Sequence, residues 1–168
     1  MNVIFHIATA IGITTLIIDT SKINANAKFK IAITFVIFSM AFFSHGILDY
    51  IPHCYPINSK IDFISGLLIV IIFTFLVKKP YKLIIVFAFG GSIFPDLIDL
   101  APAILNKYLE FNLPIHKNVF PWHWPEYSGS LYNRDCGVST LNHILLMLTI
   151  TAICLFKWKK LKEMIYKN

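Results

Sequence analysis

The sequence predicts an all-α fold, a polytopic bundle of transmembrane helices that forms one domain over residues 1–168. Three observations predict it. Hydrophobic residues make up 57% of the chain, charged residues only 14%, and the mean hydropathy is +0.67, values too apolar for an ordinary soluble domain. Apolar runs that can cross roughly 30 Å of hydrocarbon recur along the chain. Basic residues gather in alternate connections between those runs.

The apolar runs predict about five spans. We expect them at residues 3–18, 31–51, 62–77, 83–105 and 138–156. The long connection, residues 106–137, is rich in proline and aromatic residues and is expected to form a loop. Pro95 removes a backbone donor and invites a break in the fourth span. An alternative for residues 1–27 is a signal peptide cleaved near "ANA", which would remove His6.

Lysine and arginine predict the orientation. Eleven of them fall in the first connection, the third connection and the tail: Lys22, Lys28, Lys30, Lys78, Lys79, Lys82, Lys157, Lys159, Lys160, Lys162 and Lys167. The second and fourth connections hold Lys60, Lys107, Lys117 and Arg134. The positive-inside rule therefore predicts an outer N-terminus and a cytoplasmic C-terminus. Because the basic residues sort by membrane side, the net charge of +6 does not indicate a nucleic-acid partner.

Histidine and aspartate residues collect on the predicted outer side. His45, Asp49 and His53 recur at intervals of four, so a continuous helix would present them on one face. Pro52 is expected to end the helix before His53, which would then approach from a loop. The other outer residues of this kind include His6, Asp96, Asp99, His116, His123 and His143.

These groups have two interpretations, because ionisable side chains within a membrane normally have partners. They form either a hydrogen-bonded polar network or a site for one or two metal ions, with zinc the expected ion. The metal interpretation takes His6, His45, Asp49 and His53 as ligands, with His116, His123 and His143 as further candidates. Asp96 and Asp99, three residues apart on one helix face, are then a bridging ligand or a general base.

The loop "HKNVFPWHWPEYSGSLYNRDCG" also has two interpretations. Its Trp122, Trp124, Tyr127 and Tyr132 are typical of an aromatic belt at the lipid headgroups. Alternatively the loop is a lid that contributes His116, His123 and Glu126 to the polar site. Cys54 and Cys136 both lie in outer connections, so they are either bridged or isolated thiols.

Two blocks resemble a known family. "SHGILDYIPH" and "GSIFPDLIDL" resemble the SHxxxDxxPH and PDxxD blocks of small bacterial integral membrane proteins of the membrane-bound metal-dependent hydrolase type. An early histidine and a His-rich stretch before the last helix agree with that pattern. A histidine directly after the second aspartate and an HRGxTHS motif, which the better-defined hydrolases carry, are absent from this chain. The resemblance implies a metal-dependent hydrolase and carries over His6, His45, Asp49, His53, Asp96 and Asp99.

Three functions follow as hypotheses. The first is a membrane metalloenzyme, in a bacterial cytoplasmic membrane with its site facing outward, that hydrolyses an ester or phosphoester of a lipid or lipid-linked substrate. The second is a metal-ion-binding or transport protein, which should continue the polar path inward. The third is a structural membrane protein with a polar network and no metal. The sequence does not indicate an oligomeric state.

Overall fold

The computed structural model describes residues 1–131 and 136–166, and this part of the chain is helical. It contains eight α-helices: α1 Val3–Ile17, α2 Thr20–Ala25, α3 Ala27–Tyr50, α4 Ser59–Leu76, α5 Lys79–Asp99, α6 Ala101–Leu109, α7 Gly137–Phe156 and α8 Trp158–Ile165. Within the described ranges the β-structure is one isolated bridge between His53 and Ser130. Tyr132, Arg134 and Lys167, to which the sequence analysis assigned roles, lie outside the described residues.

Four helices, α3, α4, α5 and α7, are long and apolar enough to cross a membrane. The predicted all-helical, membrane-type fold is therefore confirmed, while the count of five spans and the orientation stay predictions. α1 is shorter, at 15 residues, and rises only about 22 Å along its axis. It contacts α3, α4, α5 and α7, so neighbouring helices rather than lipid cover most of its surface.

The predicted fourth span is divided at Leu100 rather than at Pro95. α5 continues through Pro95 to Asp99, so the break expected at that proline is wrong. α6 begins at Ala101, with Pro102 in its first turn. Proline has no N–H to donate to the preceding turn, so the helical hydrogen bond from position 102 is missing where α5 ends and α6 begins.

The end of α3 agrees with the expectation from Pro52. The helix stops at Tyr50, and Ile51 has an extended backbone with φ of −67° and ψ of 138°. His53 consequently leaves the helix face that carries His45 and Asp49 and lies in the following loop.

Close packing of α3 against α5 forms the centre of the bundle. Gly91 of α5 lies so near the α3 backbone that an added Cβ would be 2.4 Å from the carbonyl oxygen of Phe38. Buried Ile37, Ala41 and Ile84 belong to the surrounding apolar core. This contact sets the separation of the two helices that carry most of the polar groups.

The two ends of the bundle differ in chemistry. At one end, the Lys78 amide donates to the carbonyl of Met164, and the Lys160 ammonium donates to the carbonyl of Ile18. The lysine-rich connections and the tail therefore meet at this end. At the other end Cys54 and Cys136 form a disulfide, which decides between the two alternatives for these cysteines.

We predict that Gly91→Ala destabilises the protein by about 1–3 kcal/mol, because its methyl group would overlap a backbone carbonyl that cannot move freely. Thermal unfolding in detergent measures the effect. Gly90→Ala is the matched control: a Cβ there meets nothing within 4 Å, and replacing a helical glycine by alanine stabilises a helix by about 0.5–1 kcal/mol. Equal melting temperatures for the two variants would contradict the packing described.

Candidate metal centre

α3 and α5 bring three polar side chains together. The side chains of His45 and Asp49, one turn apart on α3, are 0% and 7% exposed. The Nε2 atom of His45 lies 3.1 Å from Asp49 Oδ2 and 3.5 Å from Asp96 Oδ1 of α5. The other ring nitrogen, Nδ1, donates to the carbonyl of Ser92 at 2.6 Å. In a neutral imidazole this bond leaves the Nε2 lone pair directed at the two carboxylates.

The fourth side chain, His123, comes from the long loop. It ends a 3₁₀ turn, Pro121–His123, and its Nδ1 donates to Asp99 Oδ2 at 2.8 Å. The same carboxylate accepts hydrogen bonds from the backbone amides of Val119 and Phe120 at 2.8 and 3.0 Å. Asp99 therefore fastens the loop to the end of α5, and the Nε2 atom of His123 faces the other three groups.

An aromatic layer holds the loop against α3. The Trp122 ring lies over Gly46, where an added Cβ would be 2.6 Å from the ring. Trp122 stacks on Phe120 at a centroid distance of 5.3 Å and contacts Phe42 edge-to-face at 5.6 Å. Because Gly46 has no side chain, the loop approaches closely enough for His123 to reach the α3 side chains.

The four ligand atoms have the spacing of a metal site. They lie within 4.8 Å of one another, and the two Nε2 atoms of His45 and His123 are 3.4 Å apart. The His123 nitrogen is 3.2 Å from Asp49 Oδ2 and 3.4 Å from Asp96 Oδ1. A tetrahedral ion with ligands at about 2.0–2.1 Å separates neighbouring ligand atoms by about 3.3–3.4 Å. This group can therefore hold a four-coordinate divalent ion.

The same atoms also satisfy one another without a metal. Burial lowers the pKa of His123, but hydrogen bonds with Asp49, Asp96 and Asp99 outweigh burial and raise that pKa to about 10. In the metal-free state His123 is then an imidazolium that forms ion pairs with the three carboxylates. A divalent ion would have to displace its proton, since a ligating imidazole is neutral.

His53, predicted as a ligand, is placed elsewhere. Its Nδ1 donates to the carbonyl of Ile51 at 2.8 Å, and its Nε2 lies 3.1 Å from Ser130 Oγ. Its backbone bonds the carbonyl of Gly129 and the amide of Leu131. Burial is the main cause that lowers its pKa to about 4, so the ring is neutral. Through these hydrogen bonds His53 holds the loop against the end of α3. It is not one of the four side chains of the candidate centre.

The remaining histidines take three different positions. His6 is buried beside the cluster and stacks on His45 at a centroid distance of 3.9 Å. His143 is buried against Phe5, with the two rings 4.3 Å apart. His116 is exposed. The structure thus brings His123 into the candidate centre and places His6 next to it.

A further buried carboxylate, Asp62 of α4, was not predicted from the sequence. It accepts hydrogen bonds from the amides of Val3 and Ile4 at 2.7 and 3.1 Å, and so caps the first turn of α1. The Asn2 side chain adds a bond to the carbonyl of Ile57 at 3.0 Å. These contacts hold the start of α1 beside α4. They thereby fix the position of His6 along the axis of the bundle. An aspartate at a span boundary gives no signal of which helix it caps.

The chain matches no protein-family model, and comparisons with curated proteins and with solved structures return no match. The resemblance to membrane-bound metal-dependent hydrolases stays a prediction.

We predict that Asp99→Ala releases the loop. Hydrogen bonds to a charged acceptor contribute about 1.5–3 kcal/mol, so the amides of Val119 and Phe120 should exchange hydrogen at least about tenfold faster. Hydrogen–deuterium exchange of the metal-free protein measures this. Asp19→Ala, which removes a carboxylate bonded to the Lys22 amide, is the control. Unchanged protection of residues 118–124 in Asp99→Ala would show that the loop is held otherwise.

Proposed function

We propose that this protein is an integral membrane metalloprotein that holds a divalent ion between His45, Asp49, Asp96 and His123. One observation carries the proposal: two imidazoles direct their Nε2 atoms at each other across 3.4 Å, with both Nδ1 atoms bonded outward to Ser92 and Asp99. Ligating histidines are oriented in this way by carbonyl and carboxylate partners.

Zinc is the ion we propose. Two imidazole nitrogens and two carboxylate oxygens form a four-coordinate set of the kind that zinc accepts. The ion would be held at the end of the bundle opposite the lysine-rich end, where the first and third connections meet the tail. Those lysines support a cytoplasmic position for the opposite end, and a disulfide beside the metal end supports an oxidising, outer side.

Transport of the ion is less well supported. Between the candidate centre and the lysine-rich end, the buried side chains form a contiguous apolar core that includes Ile37, Ala41, Ile85, Ala88 and Phe89. A bare cation crossing such a core would lose its hydration without gaining ligands, which is costly within a membrane.

The metal proposal is tested by metal content per chain, measured by mass spectrometry on detergent-purified protein after zinc reconstitution. We expect near-stoichiometric zinc in the wild type and background levels in His45→Ala and in His123→Ala, because each variant loses one of four ligands. His53→Ala is the matched control and should retain zinc, since His53 is buried but bonded to the loop. A wild type that stays free of metal would favour the ion-pair network alone.

A second candidate function, hydrolysis of a lipid ester or phosphoester, is favoured by the exposure of one ligand. The Asp96 side chain is 19% exposed, against 0% for His45 and 7% for Asp49. A bound divalent ion would supply Lewis-acid activation of water and of the scissile group. Asp96 is the ligand placed to give way to water, because a catalytic zinc ion keeps one position open, and its freed carboxylate would accept a proton from that water. Asp99 instead accepts three hydrogen bonds and positions His123.

An apolar groove supports a lipid as the substrate. It has a volume of about 450 Å³ and lies between the outer surface of α3 and the loop, with Ile47, Tyr50, Pro121 and Trp122 in its walls. Trp122 precedes His123 directly, so an acyl chain in the groove would lie beside the candidate centre. We propose an acyl chain as its occupant because α3 is one of the helices apolar enough to face lipid.

Hydrolysis is tested with zinc-loaded protein in mixed detergent–phospholipid micelles, by following release of headgroup or fatty acid. We expect wild-type turnover, a loss of about 10²–10⁴-fold per bound zinc ion in Asp96→Asn, and full activity in His53→Ala. Zinc-loaded wild type that cleaves neither bond would remove the hydrolase proposal and leave the metal proposal standing.

A further inference from the structure

His6 is a buried imidazole that the four-ligand centre does not use. Its side chain is 0% exposed, and among the described residues neither of its ring nitrogens has a hydrogen-bond partner. Leaving a buried polar group unsatisfied costs about 1–3 kcal/mol, and such groups call for an explanation. Its position on α1 is also held firmly, because Asp62 caps that helix and the ring stacks on His45.

A polar atom close to His6 belongs to the candidate centre. The Nε2 atom of His6 lies 3.2 Å from Asp49 Oδ1, within ion-pair distance but without the geometry of a well-formed hydrogen bond. The other oxygen of the same carboxylate, Oδ2, is the one that faces His45 and His123. Asp49 therefore presents one oxygen to the four-ligand group and the other to His6, which is how a carboxylate bridges two cations.

We propose that His6 Nε2 and Asp49 Oδ1 hold a second divalent cation, so that the centre is binuclear with Asp49 as the bridge. This inference rests on the proposed function, since the first cation would bind Asp49 Oδ2 and leave Oδ1 for the second cation. The 3.2 Å separation of the two atoms falls within the range found among the first four ligand atoms, 3.1–3.5 Å. Two-metal centres place their ions about 3.5–4 Å apart, a separation that one bridging carboxylate can span.

One group competes for this position. The amino group of Met1 also contacts Asp49 Oδ1, and as an ammonium it would pair with that oxygen in place of a metal. That ion pair leaves both nitrogens of His6 without a hydrogen bond, whereas a cation between His6 and Asp49 uses the free lone pair of His6 Nε2. The two arrangements differ in the number of metal ions bound.

The test is metal stoichiometry together with electron paramagnetic resonance of the Mn²⁺-loaded full chain. We expect two ions per chain and an exchange-coupled Mn²⁺ spectrum in the wild type. His6→Phe keeps a ring to stack on His45 but removes both nitrogens, so it should bind one ion and show an uncoupled spectrum. His143→Phe, which replaces a buried histidine stacked on Phe5, is the matched control and should keep two coupled ions.

The possible outcomes distinguish a failure of the second cation from a failure of the four-ligand metal centre. A folded wild type with one ion per chain, retained in His6→Phe, would overturn the second cation and leave the four-ligand centre intact. A wild type without metal would overturn both. Thermal unfolding of each variant confirms that it is folded, and His6→Ala, which leaves space instead of a ring, gives a second measurement if His6→Phe is unstable. A coupled spectrum that persists in either His6 variant would also overturn the inference.

Discussion

The buried carboxylate of Asp49 is the group on which the polar end of this bundle depends. A charge held among apolar helices is costly unless opposite charges or donors surround it. Asp49 meets His45 on its own helix, His6 on α1 and His123 on the loop. Three separate parts of the chain must therefore pack together for this one residue to be tolerated. The same requirement keeps these polar groups close together, both when the protonated His123 balances the charge of Asp49 and when a metal ion does.

The loop that supplies His123 to the centre is held by hydrogen bonds on one side and by apolar packing on the other. Toward the protein, Asp99 accepts two loop amides and the His123 ring. Toward the apolar surface of α3, Trp122 packs on Gly46 beside the groove. Aromatic side chains with one polar and one apolar neighbour suit a membrane interface. The loop thus supplies a histidine to the candidate centre, as one of its two interpretations predicts, and the aromatic belt at the headgroups stays a prediction.

Several parts of the site follow from the sequence. The four-residue spacing of His45 and Asp49 predicts a shared helix face, and both lie there, buried. Pro52 predicts that His53 leaves that face, which it does. Both His116 and His123 were predicted to contribute, and only His123 does so among the described residues. This difference was not predictable, because it depends on backbone amides that bond to Asp99, and amides carry no signature in the sequence. The helix break at Leu100 was missed because the sequence predicts the break at Pro95, whereas α5 continues through Pro95 and Pro102 lies in the first turn of α6.

By itself the sequence determined that the chain is helical and apolar enough for a membrane, and that, among its acidic and imidazole groups, His45 and Asp49 lie one turn apart on a helix. These properties depend on composition and on the 3.6-residue period, which act locally. Only the tertiary structure decided which of those groups meet. Their meeting depends on how closely α5 approaches α3 at Gly91, on how Asp62 sets the depth of α1, and on where Asp99 fastens the loop. Such distances arise from packing between distant segments, because side chains interlock only after the helices have come together.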